Sequence, residues 1–234
     1  MPLNVQWVQL VNKEYLKNFI LITGASKGLG RDLGKIFREN GYEVICLSRS
    51  KPDYDCIFIE TDLTKELDID KAYDSIKDYN IQLIINNAAL FPDDSIRNFD
   101  INTSVDSLLV NTVGPIYLIS KLLPTIIKNK TDIFNISGIC QLDPEIEKTS
   151  YSISKRALSS FSEILKEELQ DTFSRVSNII LPGMNNKVKD KFAISTKDMA
   201  SIIYQLFHLP KIINIDSIEL STNIPQKLMS KEVF

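Results

Sequence analysis

The chain has 234 residues, 27 Lys and Arg against 30 Asp and Glu, and is 44% hydrophobic and 24% charged. That globular balance excludes a disordered, collagen-like or coiled-coil chain. A net charge of −3 with a pI near 5.4 does not favour nucleic acid as a partner.

The N-terminal stretch Met1 to Lys13 mixes polar and apolar residues with no secretory pattern, and no run of about 18 apolar residues marks a membrane span. A cytoplasmic protein is expected. Cys46, Cys56 and Cys140 lack CxxC spacing and read as free thiols in a reducing compartment. With one histidine, His208, no metal site is expected.

Residues 1–17 form an extension before the first predicted strand, Phe19 to Thr23, which is short, apolar and closed by Gly24. A helix is predicted from Leu29 to Asn40, then strands at Val44 to Leu47 and Ile57 to Ile59. Leu67 to Tyr79 reads as a helix and Leu83 to Ile85 as a fourth strand. A long helical stretch from Ser104 to Lys128 carries Gly114-Pro115 near its middle. Asp132 to Ser137 is a fifth strand, Ser150 to Thr172 a second long helix, and Val176 to Leu181 a sixth strand. Asp198 to Leu209 is helical, and Ile212 to Leu220 holds the last strand segment. Such alternation predicts one α/β domain over 1–234, a Rossmann-type doubly wound parallel sheet with helices on both faces.

Between the first strand and the first helix lies Thr23-Gly-Ala-Ser-Lys-Gly-Leu-Gly30. Gly24 permits the tight turn, Gly28 lets the backbone approach a pyrophosphate, and Gly30 lets helix and strand pack closely. The helix N-terminus offers free N–H groups to the phosphates. The second strand ends Leu47-Ser48-Arg49, without the carboxylate that holds the ribose 2′-hydroxyl of NAD. Arg49 and Lys27 suit a 2′-phosphate, so NADP(H) is expected in preference to NAD(H).

These residues, with Asp62-Leu63, Asn86-Asn87-Ala88-Ala89, Asn111, Tyr151-Ser-Ile-Ser-Lys155 and Pro182-Gly183 in the same order, resemble the classical short-chain dehydrogenase/reductase family. The resemblance implies that Ser26 and Leu29 join the glycines at the cofactor. It implies that Asp62 and Leu63 meet the adenine, that Asn87 and Ala88 lie along the cofactor, and that Pro182 and Gly183 flank the nicotinamide. It also implies that Tyr151 is the acid–base, that Lys155 lowers its pKa and holds the ribose, and that Asn111 bends its helix and supports a proton relay. Pairing of the two long helices across a homodimer or homotetramer is implied too.

Two departures from the family stand out. The position thirteen before Tyr151, where the family has a serine that binds the substrate carbonyl, is Gly138. Ser137 is its neighbour, and a one-residue shift on a strand turns a side chain to the other face. After Gly183, Met184 to Val188 lacks the family threonine, and the stretch before the next helix is short. The expected activity is NADP(H)-dependent reduction of a small-molecule carbonyl, or oxidation of an alcohol. A non-catalytic dinucleotide-binding sensor or scaffold is the alternative that Gly138 raises, and lyase or epimerase chemistry on the same frame is a third.

Overall fold

The computed structural model describes residues 17–143, 146–182 and 194–221. Strand β1 (Phe19–Thr23) is buried along its whole length, as a continuous apolar run must be when both faces of a sheet are covered. It lies between β2 (Glu43–Ser48) and β4 (Ile81–Asn86). With β3 (Ile57–Glu60), β5 (Asp132–Gly138), β6 (Val176–Leu181) and β7 (Ser217–Glu219) they make one seven-stranded sheet. Its order is β3-β2-β1-β4-β5-β6-β7 and every pairing is parallel. The chain leaves the β3 edge and returns to the centre at β4, so connections diverge after β1 and β4. A crevice opens there at the carboxyl ends of the strands.

Side chains alternate between two cores. Ile20, Ile22, Phe134 and Ile136 face one side, where α1 (Gly28–Glu39) contributes Leu33 and Phe37, and α6 (Thr196–Phe207) contributes Met199 and Ile203. Leu21, Ile84 and Ile133 face the other. There α2 (Glu66–Ile76) supplies Ile69 and Ala72, α4 (Gly114–Asn129) supplies Leu118 and Leu122, and α5 (Thr149–Glu168) supplies Leu165. A buried ion pair fastens the strand bases: Arg175 donates from Nε and Nη2 to Asp132 Oδ2 at 3.0 and 2.6 Å, and to the Phe207 carbonyl at 2.7 Å.

Several boundaries differ from the sequence reading. The long helical stretch starts earlier, as α3 (Ile101–Leu108), because the Asp100 carboxylate accepts the Thr103 N–H at 2.7 Å and caps it. It then widens into a π turn, Leu109–Val113, before α4. Gly114 follows because a Cβ there would stand 2.6 Å from the Leu63 carbonyl. The last strand shrinks to three residues, Ser217–Glu219, and Ile212 is exposed instead. The sequence reading also missed that Ile101–Asn129 is, by length and composition alone, apolar enough to cross a membrane. In the fold its Leu118, Ile119, Leu122 and Ile126 pack into the core. The extension before Lys17, Gly183 and the Met184 to Val188 segment lie outside the described residues.

Candidate active site

The crevice is built first from backbone. Gly24 and Gly28 have φ of +68° and +56°, the left-handed region that favours glycine. A Cβ on Gly24 would lie 2.7 Å from Ala88 Cα, so the turn after β1 rests directly on the turn after β4. A Cβ on Gly30 would lie 2.4 Å from both the Gly24 carbonyl and Asn87 Nδ2. Gly28 has nothing within 4 Å of that position, which leaves its backbone open to a ligand. Thr23 and Asn87 lock the two turns: Thr23 Oγ1 accepts the N–H groups of Asn87 and Ala88 at 3.0 Å, and Asn87 Nδ2 donates to the Thr23 carbonyl at 3.0 Å. No acidic residue occupies the first turn of α1, and Lys27 at its N-cap makes no side-chain cap. Its N–H groups and positive dipole end therefore face the crevice uncompensated by the chain itself.

From this floor extends a cleft of about 580 Å³. Gly24, Ser26, Lys27, Gly28, Leu29, Gly30, Arg49, Asp62, Leu63, Asn87, Ala88, Tyr151, Lys155 and Pro182 all line it. These are all the expected cofactor residues within the described part of the chain. At the end of β2 Arg49 is exposed, beside Ser26 and Ser50, whose hydroxyls are 3.2 Å apart. The nearby Asp53 is engaged elsewhere, accepting from Lys35 Nζ at 3.2 Å. Asp62 accepts from the N–H and hydroxyl of Thr64 at 3.1 and 2.8 Å, which fixes the turn after β3.

Tyr151 and Lys155 stand one turn apart on α5 and face the same cleft. Lys155 is buried, and its ammonium lies 5.7 Å from the centre of the Tyr151 ring and donates to the Ile136 carbonyl at 2.7 Å. Burial pulls its pKa down to about 8. The Phe91 ring meets Tyr151 edge-on with ring centres 4.4 Å apart, and Lys148 Nζ lies 3.9 Å from the Phe91 ring centre. The helix start is held by Asp94, a buried carboxylate that accepts the Ser150 N–H at 3.1 Å and the Ser150 hydroxyl.

Asn111 does not line the cleft. It sits in the π turn and holds the cleft wall by both ends of its amide: Oδ1 accepts the Leu90 N–H at 2.7 Å and Nδ2 donates to the Leu90 carbonyl at 2.9 Å. Nδ2 also reaches Ser154 Oγ at 2.9 Å and Ser107 Oγ at 3.2 Å, joining α3 to α5.

Gly138 ends β5 in extended conformation, φ −134°, facing Tyr151. A Cβ there would lie 3.0 Å from the Tyr151 hydroxyl and 3.4 Å from Cys140 Sγ. Ser137 does not substitute. Its hydroxyl donates to Gln141 Oε1 at 2.7 Å within the buried layer under α5. Sequence reasoning missed Leu90, Phe91, Asp94, Cys140 and Ser154. Ser154 lies inside the Tyr151–Lys155 motif, Leu90 and Phe91 directly follow Asn86–Ala89 and Cys140 follows Gly138, but residue type alone gives none of them a role; Asp94 reaches the site from outside any motif.

A sequence model described as short chain dehydrogenase matches residues 18–193. Serine 3-dehydrogenase of Agrobacterium fabrum is 29% identical over 232 residues, covering 86% of this chain and 92% of that protein. A short-chain dehydrogenase/reductase family oxidoreductase from Brucella ovis, solved with a partially ordered NAD, superposes with a TM-score of 0.77 at 22% identity, over 88% of this chain and all of that one. The closed form of a serine dehydrogenase complexed with NADP+ has the same TM-score at 20% identity, over 86% and 94% of the two chains.

Proposed function

The chain belongs to the classical short-chain dehydrogenase/reductase family, and from that premise we propose that it is an NADP(H)-dependent oxidoreductase that interconverts a small-molecule alcohol and carbonyl. The observation that carries the reading is the shared cleft: Tyr151 and the buried Lys155 line one end, and the glycine turn and Arg49 line the other. The residues fit a dinucleotide. Gly28 leaves room at the backbone, the N-terminus of α1 meets phosphate, and Gly30 keeps the helix close to the strand. Arg49 and Lys27, which form no close ion pair among the described residues although Arg49 lies within the field of Asp62, favour the 2′-phosphate of NADP over the diol of NAD.

When bound, the nicotinamide supplies the hydride chemistry. The protein's part is the proton. Tyr151 Oη gives a proton to the carbonyl oxygen in reduction, or takes one from the hydroxyl in oxidation. The Lys155 ammonium favours the phenolate form by its charge, and Asn111 and Asp94 hold the wall and the helix from which both residues project. Phe91 packs edge-on against the Tyr151 ring and narrows access to it.

The first test is a fluorescence titration of the purified protein with NADPH and NADH. NADP+-linked oxidation of serine and other small hydroxy acids follows, because a serine 3-dehydrogenase is among its relatives. Tyr151→Phe must abolish the turnover; turnover that survives it rejects the acid–base assignment. A second reading, a dinucleotide-binding sensor, is favoured by Gly138, which leaves no side-chain hydroxyl at the position facing Tyr151. NADPH binding without turnover on any alcohol or carbonyl in such a screen selects that reading.

A further inference from the structure

A second cleft, of about 720 Å³, runs along α5 on the stripe beside the catalytic one. Ser152, Ile153 and Arg156 project from the helix, and Ile146 and Arg97 close the opposite side. Cys140 is common to both clefts and lies beside Gly138. Three features mark this groove as built for a ligand. The Ser152 hydroxyl is buried yet has no hydrogen-bond partner among the described residues, an unfavourable state that a ligand or water would relieve. Among the described residues Arg97 and Arg156 form no ion pair, and Glu147 is the one acidic side chain that lines the groove. Ile146 and Ile153, 87% and 54% exposed, add apolar surface to its lining.

Resting on the oxidoreductase reading, we infer that this groove holds the tail of the substrate: an apolar stem that ends in a carboxylate. The reacting carbon would sit at Tyr151, in the space that a serine side chain at 138 would otherwise narrow. The stem would pass Cys140 onto Ile146 and Ile153. The carboxylate would take charge-assisted hydrogen bonds from Arg156 and Arg97 and the Ser152 hydroxyl. A methyl ester offers these three donors only neutral acceptors and no charge to the two guanidiniums, so the groove selects acids over their esters.

The test compares acetoacetate, levulinate and longer methyl-ketone acids with their methyl esters as NADPH-linked substrates, in the wild type and in Arg156→Met. The acids are expected to exceed the esters in kcat/KM by about tenfold or more, with an optimum at one chain length, and Arg156→Met to bring the ratio near one. Equal use of acid and ester by the wild type, or an equal loss of both in Arg156→Met, overturns the assignment. So does a change in sedimentation without a change in ratio, which makes the groove a contact between copies of this chain. Binding is read separately by calorimetric titration of the NADP+ complex with hexanoate. Binding that weakens about tenfold in Arg156→Met supports the groove even if no ketone is turned over, when the oxidoreductase reading alone falls. No hexanoate binding overturns the groove.

Discussion

Gly138 faces Tyr151 so closely that a Cβ at 138 would stand 3.0 Å from the Tyr151 hydroxyl oxygen. The backbone there is extended and open to any residue. A side chain at 138 would therefore face Tyr151, and glycine leaves that position without a hydroxyl donor. A preorganised donor to a developing oxyanion is worth roughly 10²–10³ in rate. Gly138→Ser is expected to raise kcat for a small ketone by about tenfold, less than the full amount because the Tyr151 ring must give way by a few tenths of an ångström. Steady-state kinetics with NADPH check it. An unchanged or lower kcat means that another group already serves the carbonyl.

Arg49 stands exposed at the end of β2, and Asp53, the carboxylate nearby in sequence, is occupied by Lys35. A charge-assisted contact of a guanidinium with a 2′-phosphate is worth roughly 1.5–3 kcal/mol. Arg49→Ser should therefore weaken NADPH binding by about 10- to 100-fold and leave NADH within about threefold. The wild-type preference should also shrink with added salt, because the site is exposed. Equal losses for the two cofactors in a fluorescence titration refute the assignment.

The ammonium of Lys155 is buried against a backbone carbonyl, and its pKa is lowered from 10.5 to about 8. Below about 8 the group is charged both folded and unfolded, and the burial cost of that charge is fully felt. As pH rises from about 8 toward 10.5 the folded protein gives up the proton first, so this group's contribution to stability improves. Lys155→Met removes the charge at the cost of one hydrogen bond to Ile136. At pH near 7 it is expected to stabilise the fold by about 1–2 kcal/mol, a rise in Tm of a few degrees, while abolishing turnover. The gain in Tm should fade above about pH 10. Calorimetric melting across pH decides it, and a variant destabilised at neutral pH shows that the hydrogen bond outweighs the buried charge.

Much of this was legible in the chain itself. The apolar runs at Phe19–Thr23 and Val176–Leu181 mark strands because nothing polar interrupts them, and both are buried throughout. The glycine turn is legible because left-handed φ at Gly24 and Gly28 and the close packing at Gly30 tolerate little else. Tyr151 and Lys155 are legible by helical spacing. A bend at Asn111 is implied by the family resemblance, but its form as a π turn is not legible, because one extra residue per turn leaves no periodic trace in so short a segment. Nor are Asp94 and Ser154, which act across 56 and 43 residues of sequence on Ser150 and Asn111. The exposure of Ile212 is not legible either, because its apolar side chain extends the pattern of the last strand while the strand itself begins only at Ser217.

Asn111 gives the last prediction. Its amide satisfies both the N–H and the carbonyl of Leu90, a residue of the cleft wall, and also reaches Ser107 and Ser154. Asn111→Ala takes from the part-buried Leu90 N–H and carbonyl their side-chain partner, while Ser154 keeps its bond to the Tyr151 carbonyl and Ser107 its contact with Ser154. The expected loss is about 2–4 kcal/mol, since each unsatisfied buried group costs about 1–3 kcal/mol and water entering the space left by the amide recovers part of it. The denaturant midpoint should fall accordingly, and the Leu90 amide should lose protection against hydrogen exchange. Because Leu90 stands beside Phe91 and hence beside Tyr151, turnover should fall more than NADPH affinity, which depends on the glycine turn at the other end of the cleft. Equal losses in kcat and in NADPH binding, with Leu90 still protected, would place Asn111 in general packing rather than in support of the Tyr151 end.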